Sequence, residues 1–202
     1  MTPVLPSQEF DPLVELSGCW TTALAERYLP VRELAGARHE CVAGRLVISP
    51  FLRASESFAM VSLGCLLAPA AEAAGRHVLG RVNLTVSPGL WIQPDVTVLH
   101  TLPATDEEDR WVPAGHCELA VEVSSDDNPG PAAVDRPRRC AEGGVPWFMR
   151  VRLTRDPARV DVRLLALHRP GGPDTVARAV SGERLRADAP FPIDFDPAEL
   201  LP

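Results

Sequence analysis

The stretch ELAVEVSSDDN, Glu118 to Asn128, constrains this chain most. Leu119, Ala120, Val121 and Val123 make an apolar run too short for an independent helix, so it reads as a buried strand. Glu122 stands inside that run. An ionised carboxylate in a sheet costs on the order of several kcal/mol unless it is paired, protonated or bound to a metal.

A second acidic residue has a related setting. In WIQPDVTVLH, Asp95 follows Pro94 and precedes the β-formers Val96 and Val98. If the two strands are neighbours, Asp95 and Glu122 point at one spot, where a divalent cation would relieve their repulsion. Mg²⁺ suits such a pair, because it takes hard oxygen ligands, needs one or two carboxylates and keeps waters for a substrate. The alternative is that Asp95 ends a strand and Glu122 lies on the solvent face of an edge strand. Spacing alone leaves both readings open.

At 202 residues, with 46% apolar and 23% charged residues, the chain suits one globular domain with its own core. Residues 1–15 read as a Pro-containing lead-in and residues 16–202 as the domain. No basic-then-apolar leader opens the chain and no stretch reaches membrane-span length, so the expected location is the cytoplasm, with no membrane partner. The five cysteines are scattered, odd in number and never form CxxC, so they are expected to be buried free thiols. A net charge of −7 and a pI of about 5.2 count against a high-affinity DNA protein, although a basic patch can sit within an acidic whole. All 20 basic residues are arginine.

Element signals run in a mixed order. A helix is expected from Ser17, its cap, to Pro30. HECVAGRLVIS reads as two strands about an Ala43-Gly44 turn. A helix from Ser55 to Gly75 would place Phe58, Val61, Cys65 and Ala68 on one stripe, with a kink or restart at Pro69. RHVLGRVNLTVS and LWIQPDVTVLH read as two strands, TLPATDEEDRWVPAG as a polar loop, and the segment from Asp135 to Gly143-Gly144 as a short helix. PWFMRVRL and RVDVRLLALH are further strands. The expected fold is a single α/β or α+β domain around a mixed sheet.

Known catalytic signatures are absent: no HExxH, GxSxG, Walker loop or dinucleotide fingerprint occurs. The five histidines show no ligand spacing, and the tryptophans suit the core and its rim. Arg136, Arg138 and Arg139 form one local basic cluster, either a solvated helix face or a phosphate contact.

Five segments, taken in order, resemble a bacterial family of restriction-endonuclease-like proteins within the PD-(D/E)xK nuclease superfamily. ECVAGRLVISP is similar to ELxDGxLxxSP, WIQPDVTVL to RPDVxVx and ELAVEVSS to LVVEVxS. RPRRCAEGGVPWFMRV is similar to KxxxYAxAGVPxYWxV, and PFPIDFDPAELL to the closing segment. The resemblance covers Glu40 to the C-terminus. It implies a mixed sheet flanked by helices, Mg²⁺ or Mn²⁺ as cofactor, DNA as partner and a homodimer. Asp95 and Glu122 match the metal ligands, and Glu40 matches the glutamate of ELxDG as a further acidic residue, unless it is a hairpin-surface residue. The assisting lysine is missing. Ser124 occupies its place in the simple pattern, and Arg136 its place on the following helix. Arginine can steady an anion but cannot serve as a base, since its pKa stays above about 12. Further departures are Ala43 for the aspartate of ELxDG, Ala132 for another aspartate, and a position near Glu56 for a histidine.

Three functional expectations follow. The first is a metal-dependent endonuclease hydrolysing DNA phosphodiesters with Asp95, Glu122 and Arg136. The second is a catalytically silent binding or structural protein of the same fold. The third is a metal enzyme acting on a small phosphorylated or carboxylated substrate, which would suit the acidic surface.

Overall fold

The computed structural model describes residues 10–31, 36–49, 51–126, 128, 134–169 and 172–202. Most of the expected lead-in, Pro50 of the SP segment, and the loop position Ala132 lie outside the described residues.

Two short helices come first, α1 (Pro12–Glu15) and α2 (Thr22–Tyr28), followed by the hairpin β1 (Arg38–Val42) and β2 (Arg45–Ser49). The long helix α3 (Ala54–Ala73) leads to four short strands, β3 (His77–Leu79), β4 (Leu84–Ser87), β5 (Leu90–Ile92) and β6 (Val96–Leu99). Helix α4 (Asp106–Arg110) and β7 (Val112–Pro113) precede the strand β8 (Cys117–Ser125). After helix α5 (Arg136–Glu142) come β9 (Trp147–Arg155), β10 (Ala158–Ala166) and β11 (Asp174–Val180), and the hairpin β12 (Leu185–Ala187) and β13 (Ile193–Phe195).

The strands form a six-stranded sheet ordered β11-β10-β9-β8-β6-β3 and a five-stranded sheet ordered β2-β1-β5-β4-β7. Within the larger sheet only β8 and β9 pair in parallel, and the connection between them carries α5, as a parallel crossover requires. Side chains alternate across β8. Leu119, Val121 and Val123 face α3, where Ala59, Leu63, Leu67 and Ala71 are buried. Ala120 faces the other way and packs with Phe148 and Leu99 against Leu84, Ile92 and Val112 of the smaller sheet. Trp20, Ala25, Cys41 and Trp91 fill a third cluster beneath α2.

Several sequence expectations change here. Phe58, Val61 and Cys65 are exposed, and the buried stripe of α3 runs instead through Ala59, Leu63, Leu67 and Ala71. The helix is apolar nearly all round, so periodicity could not choose its inner face. Pro69 lies within α3 without ending it. Contrary to the composition reading, α3 is long and apolar enough to cross a membrane. Here its buried stripe packs on the sheet.

The cap of α2 is Thr21, whose Oγ1 accepts from Leu24 N at 3.3 Å, and not Ser17, which lies in a turn beside Gly18. Four strands replace the two expected between residues 77 and 99, and the polar loop contains α4, capped by Thr105. Cys41, Cys117 and Cys140 are buried, but Cys19 and Cys65 are exposed.

The β1–β2 turn is the two-residue Ala43-Gly44 connection, with φ of 51° and 73°. Such a turn matches the strand twist and demands left-handed backbone at both positions. Gly44 is required for a second reason: a Cβ there would lie 2.4 Å from the Gly18 carbonyl oxygen.

Candidate active site

Val96 of β6 stands opposite Val121 of β8 in an antiparallel pair. Asp95 immediately precedes β6, and its N–H donates at 2.8 Å to the carbonyl of Val121, the residue before Glu122. Glu122 has the parity of Ala120, which faces away from α3. The Asp95 carboxylate meets Arg38 of β1 and Arg81, so both carboxylates lie toward the layer between the two sheets. The strands β6 and β8 are neighbours, as expected.

Glu40 reaches the same layer from β1. It is fully buried, and its Oε1 accepts from Gln93 N at 2.8 Å. The hairpin-surface alternative for Glu40 is thus excluded. Asp95 is also fully buried, whereas Glu122 is partly exposed.

Three guanidiniums meet these three carboxylates. Arg136 is the first residue of α5. It follows Asp135, a left-handed residue at φ 46° whose side chain makes no capping bond, so the aspartate marks the helix start by its backbone. Arg136 donates from Nε to Glu40 Oε1 at 2.8 Å, from Nη2 to Glu40 Oε2 at 2.5 Å, and from Nη1 to Glu122 Oε1. Arg38 pairs with Asp95 Oδ1, and Arg81 Nη2 donates to that same oxygen at 3.1 Å. Asp95 Oδ2 accepts from Val123 N at 2.8 Å. Burial disfavours the charge on Arg136, but its bonds to Glu40 and the nearby Glu122 outweigh it and hold the pKa above the ordinary guanidinium value. Burial pulls Arg38 below its ordinary value, against the pull of Asp95.

Sequence reasoning missed Arg38 and Arg81. A signal existed for the first: Arg38 and Glu40 are two apart on one strand and so share a face. No local signal marked Arg81. Ser124 donates to Val151 O at 3.4 Å and shares the Glu122 face. Glu56 is buried, but it bonds Ser125 Oγ at 2.7 Å and Asn128 Nδ2 at 3.2 Å at the end of β8. Ser125 has the parity of the α3 face, so the sheet separates Glu56 from Glu122. Arg138 and Arg139 pair with Glu142 at 3.0 and 2.8 Å on the outer side of α5, which leaves only Arg136 of that cluster in the site.

Two depressions flank the charge cluster. One of about 490 Å³ is lined by Arg81, Gln93, Trp91 and Trp111. The other, about 350 Å³, is lined by Glu122, Ser124, Arg150 and Arg163.

The donors fit a hard divalent cation in kind, since all three are carboxylates. They do not offer it free coordination sites. Among the described residues no three acidic, histidine or cysteine side chains are grouped as a metal cage. Asp95 Oδ1 is taken by two guanidiniums and both Glu40 oxygens by Arg136. A cation would have to displace part of this lattice, most readily at Glu122, whose Oε2 meets, among the described residues, only Arg150 at 4.0 Å.

The architecture is similar to the crystal structure of a candidate nuclease belonging to DUF820 from Anabaena variabilis ATCC 29413. Identity is 16% and the TM-score 0.58, over 87% of this chain and 94% of that one. The chain thus shares a nuclease-like fold: mixed sheets flanked by helices in a single domain. Neither a family model nor a curated protein matches it.

Proposed function

We propose that this chain is a metal-dependent nuclease acting on the phosphodiester backbone of DNA. The observation that supports this reading is the pairing of β6 with β8, which brings the Asp95 and Glu122 segments together on a nuclease-like fold. Asp95 and Glu122 would hold Mg²⁺ or Mn²⁺ once the cation displaces the arginines that now occupy their oxygens, with Glu40 behind them. When bound, the metal would supply an activated water and charge stabilisation at a phosphoryl oxygen. Arg136 orients Glu122 and offers a fixed positive charge where the related pattern has lysine. It stays protonated, so it stabilises charge and takes no proton. The proposed setting is cytoplasmic. A homodimer is proposed too, with the exposed Phe58 and Val61 of α3 available for a second copy.

One observation favours a second reading. Arg38, Arg81 and Arg136 already balance the charge of Asp95, Glu40 and Glu122. A protein so arranged could bind nucleic acid without cleaving it. Mn²⁺ titration calorimetry separates the two, run on wild type and on Asp95→Ala with Glu122→Ala, beside a plasmid-nicking assay. Binding and nicking that both vanish in the variant support the nuclease. Wild type that binds no Mn²⁺ at millimolar concentration, yet stays folded, supports the binding protein.

A further inference from the structure

The face of the six-stranded sheet that carries Glu122 continues past it. Glu122 is the register partner of Arg150 on β9, Arg150 of Arg163 on β10, and Arg163 of Arg178 on β11. One row of side chains therefore runs Glu122, Arg150, Arg163, Arg178 across four strands. The three arginines are each about half exposed, at 53%, 48% and 52%. With strands about 4.8 Å apart, they span about 10 Å of surface.

Like charges directly opposite one another destabilise a sheet, so such a row asks for an anion. The chain supplies one for two of them. Asp161, in the next row, accepts from Arg163 at 3.2 and 3.3 Å and from Arg178 at 3.2 and 2.5 Å. Arg150 approaches only Glu122 among the described residues, at 4.0 Å, and Glu122 is already held by Arg136. Two carboxylates, Asp161 and Glu122, thus stand against these three arginines, and Arg136 already engages Glu122, so a locally basic track lies on a protein of net charge −7.

We propose that Arg150, Arg163 and Arg178 form a track that binds the phosphate backbone of a single nucleic-acid strand and leads it to Glu122. The choice of ligand rests on the nuclease reading; the track itself rests on register and charge. A repeating anion is what a linear row of cations answers, and the guanidinium fork matches phosphate oxygens at two points. No aromatic side chain lies in the row, so bases are not stacked or read there, and binding is independent of sequence.

The test is fluorescence anisotropy with a labelled single-stranded oligonucleotide in EDTA, so that no metal contributes, across a salt series. Removing three phosphate contacts from a single strand lowers the log–log salt slope by about 2. The variant Arg150→Gln/Arg163→Gln/Arg178→Gln is expected to show that change with at least an order-of-magnitude loss of affinity. Arg27→Gln, on α2 outside this row, is expected to leave both unchanged. Asp161→Asn frees two arginines and is expected to tighten binding severalfold, a gain that misfolding cannot imitate. Unchanged affinity and slope in the triple variant would overturn the track and leave the nuclease reading to its Mn²⁺ titration. Wild type that ignores the oligonucleotide at low salt would also overturn the track, again without deciding metal binding.

Discussion

Arg136 holds Glu40 at two points, Nε to Oε1 at 2.8 Å and Nη2 to Oε2 at 2.5 Å, and its remaining nitrogen donates to Glu122. One guanidinium thereby ties the first turn of α5 to both sheets, through β1 and through β8. Both Arg136 and Glu40 are buried, so each is the condition for the other's charge.

Arg136→Gln leaves Glu40 buried without a counter-charge. Breaking a buried pair at one partner costs about 3–5 kcal/mol, and urea denaturation should read a loss of that size. Arg136→Lys keeps the charge but loses the planar fork, so its loss should fall between wild type and Gln. Equal stability of all three proteins would contradict the geometry.

Asp95→Asn keeps an acceptor for Val123 N but removes the charge facing Arg38 and Arg81. Asp95→Ala removes both. The expected order of stability is wild type, then Asn, then Ala, with the Ala variant about 3–5 kcal/mol below wild type. Equal losses for Asn and Ala would mean that the Val123 bond contributes nothing.

His39 lies beside Glu40 on β1 and faces the other way, and burial lowers its pKa from the usual 6.5. Between the lowered value and 6.5 the unfolded chain binds a proton that the folded chain does not. Stability therefore falls as pH drops below about 6.5, with a slope of at most about 1.4 kcal/mol per pH unit from this one proton. His39→Gln should flatten that part of the curve. A slope unchanged in the variant would assign the loss to other groups.

Ala43 occupies a left-handed position at φ 51° that disfavours a side chain unable to bond its own backbone. Ala43→Asn suits this turn and should raise stability by about 0.5–1 kcal/mol, read as a higher melting temperature. A lower one would mean that the turn is held by its contacts with the Gly18 segment.

Much of the local structure was legible because it depends on near neighbours. The apolar run around Glu122, the Ala43-Gly44 turn and the alternation of RVDVRLLALH each carry their own period or turn chemistry. The inner face of α3 was not legible, since two apolar stripes satisfy the same helical spacing and only contact with β6 and β8 selects one. The cap of α2 was misplaced because Ser17 and Thr21 are both good caps, and the turn at Gly18 decides between them.

By itself, then, the sequence determined that Glu122 lies in a buried strand, that Asp95 opens another, and that Arg136 starts the helix after Glu122. Tertiary structure alone decided the company these residues keep. The order β8-β6 brings Asp95 beside the Glu122 segment, the packing of the second sheet brings Glu40, Arg38 and Arg81 to them, and the order β9-β10-β11 aligns three arginines on the open side. Each of these pairings joins residues on different strands, where strand order and register, not spacing along the chain, determine which charges meet.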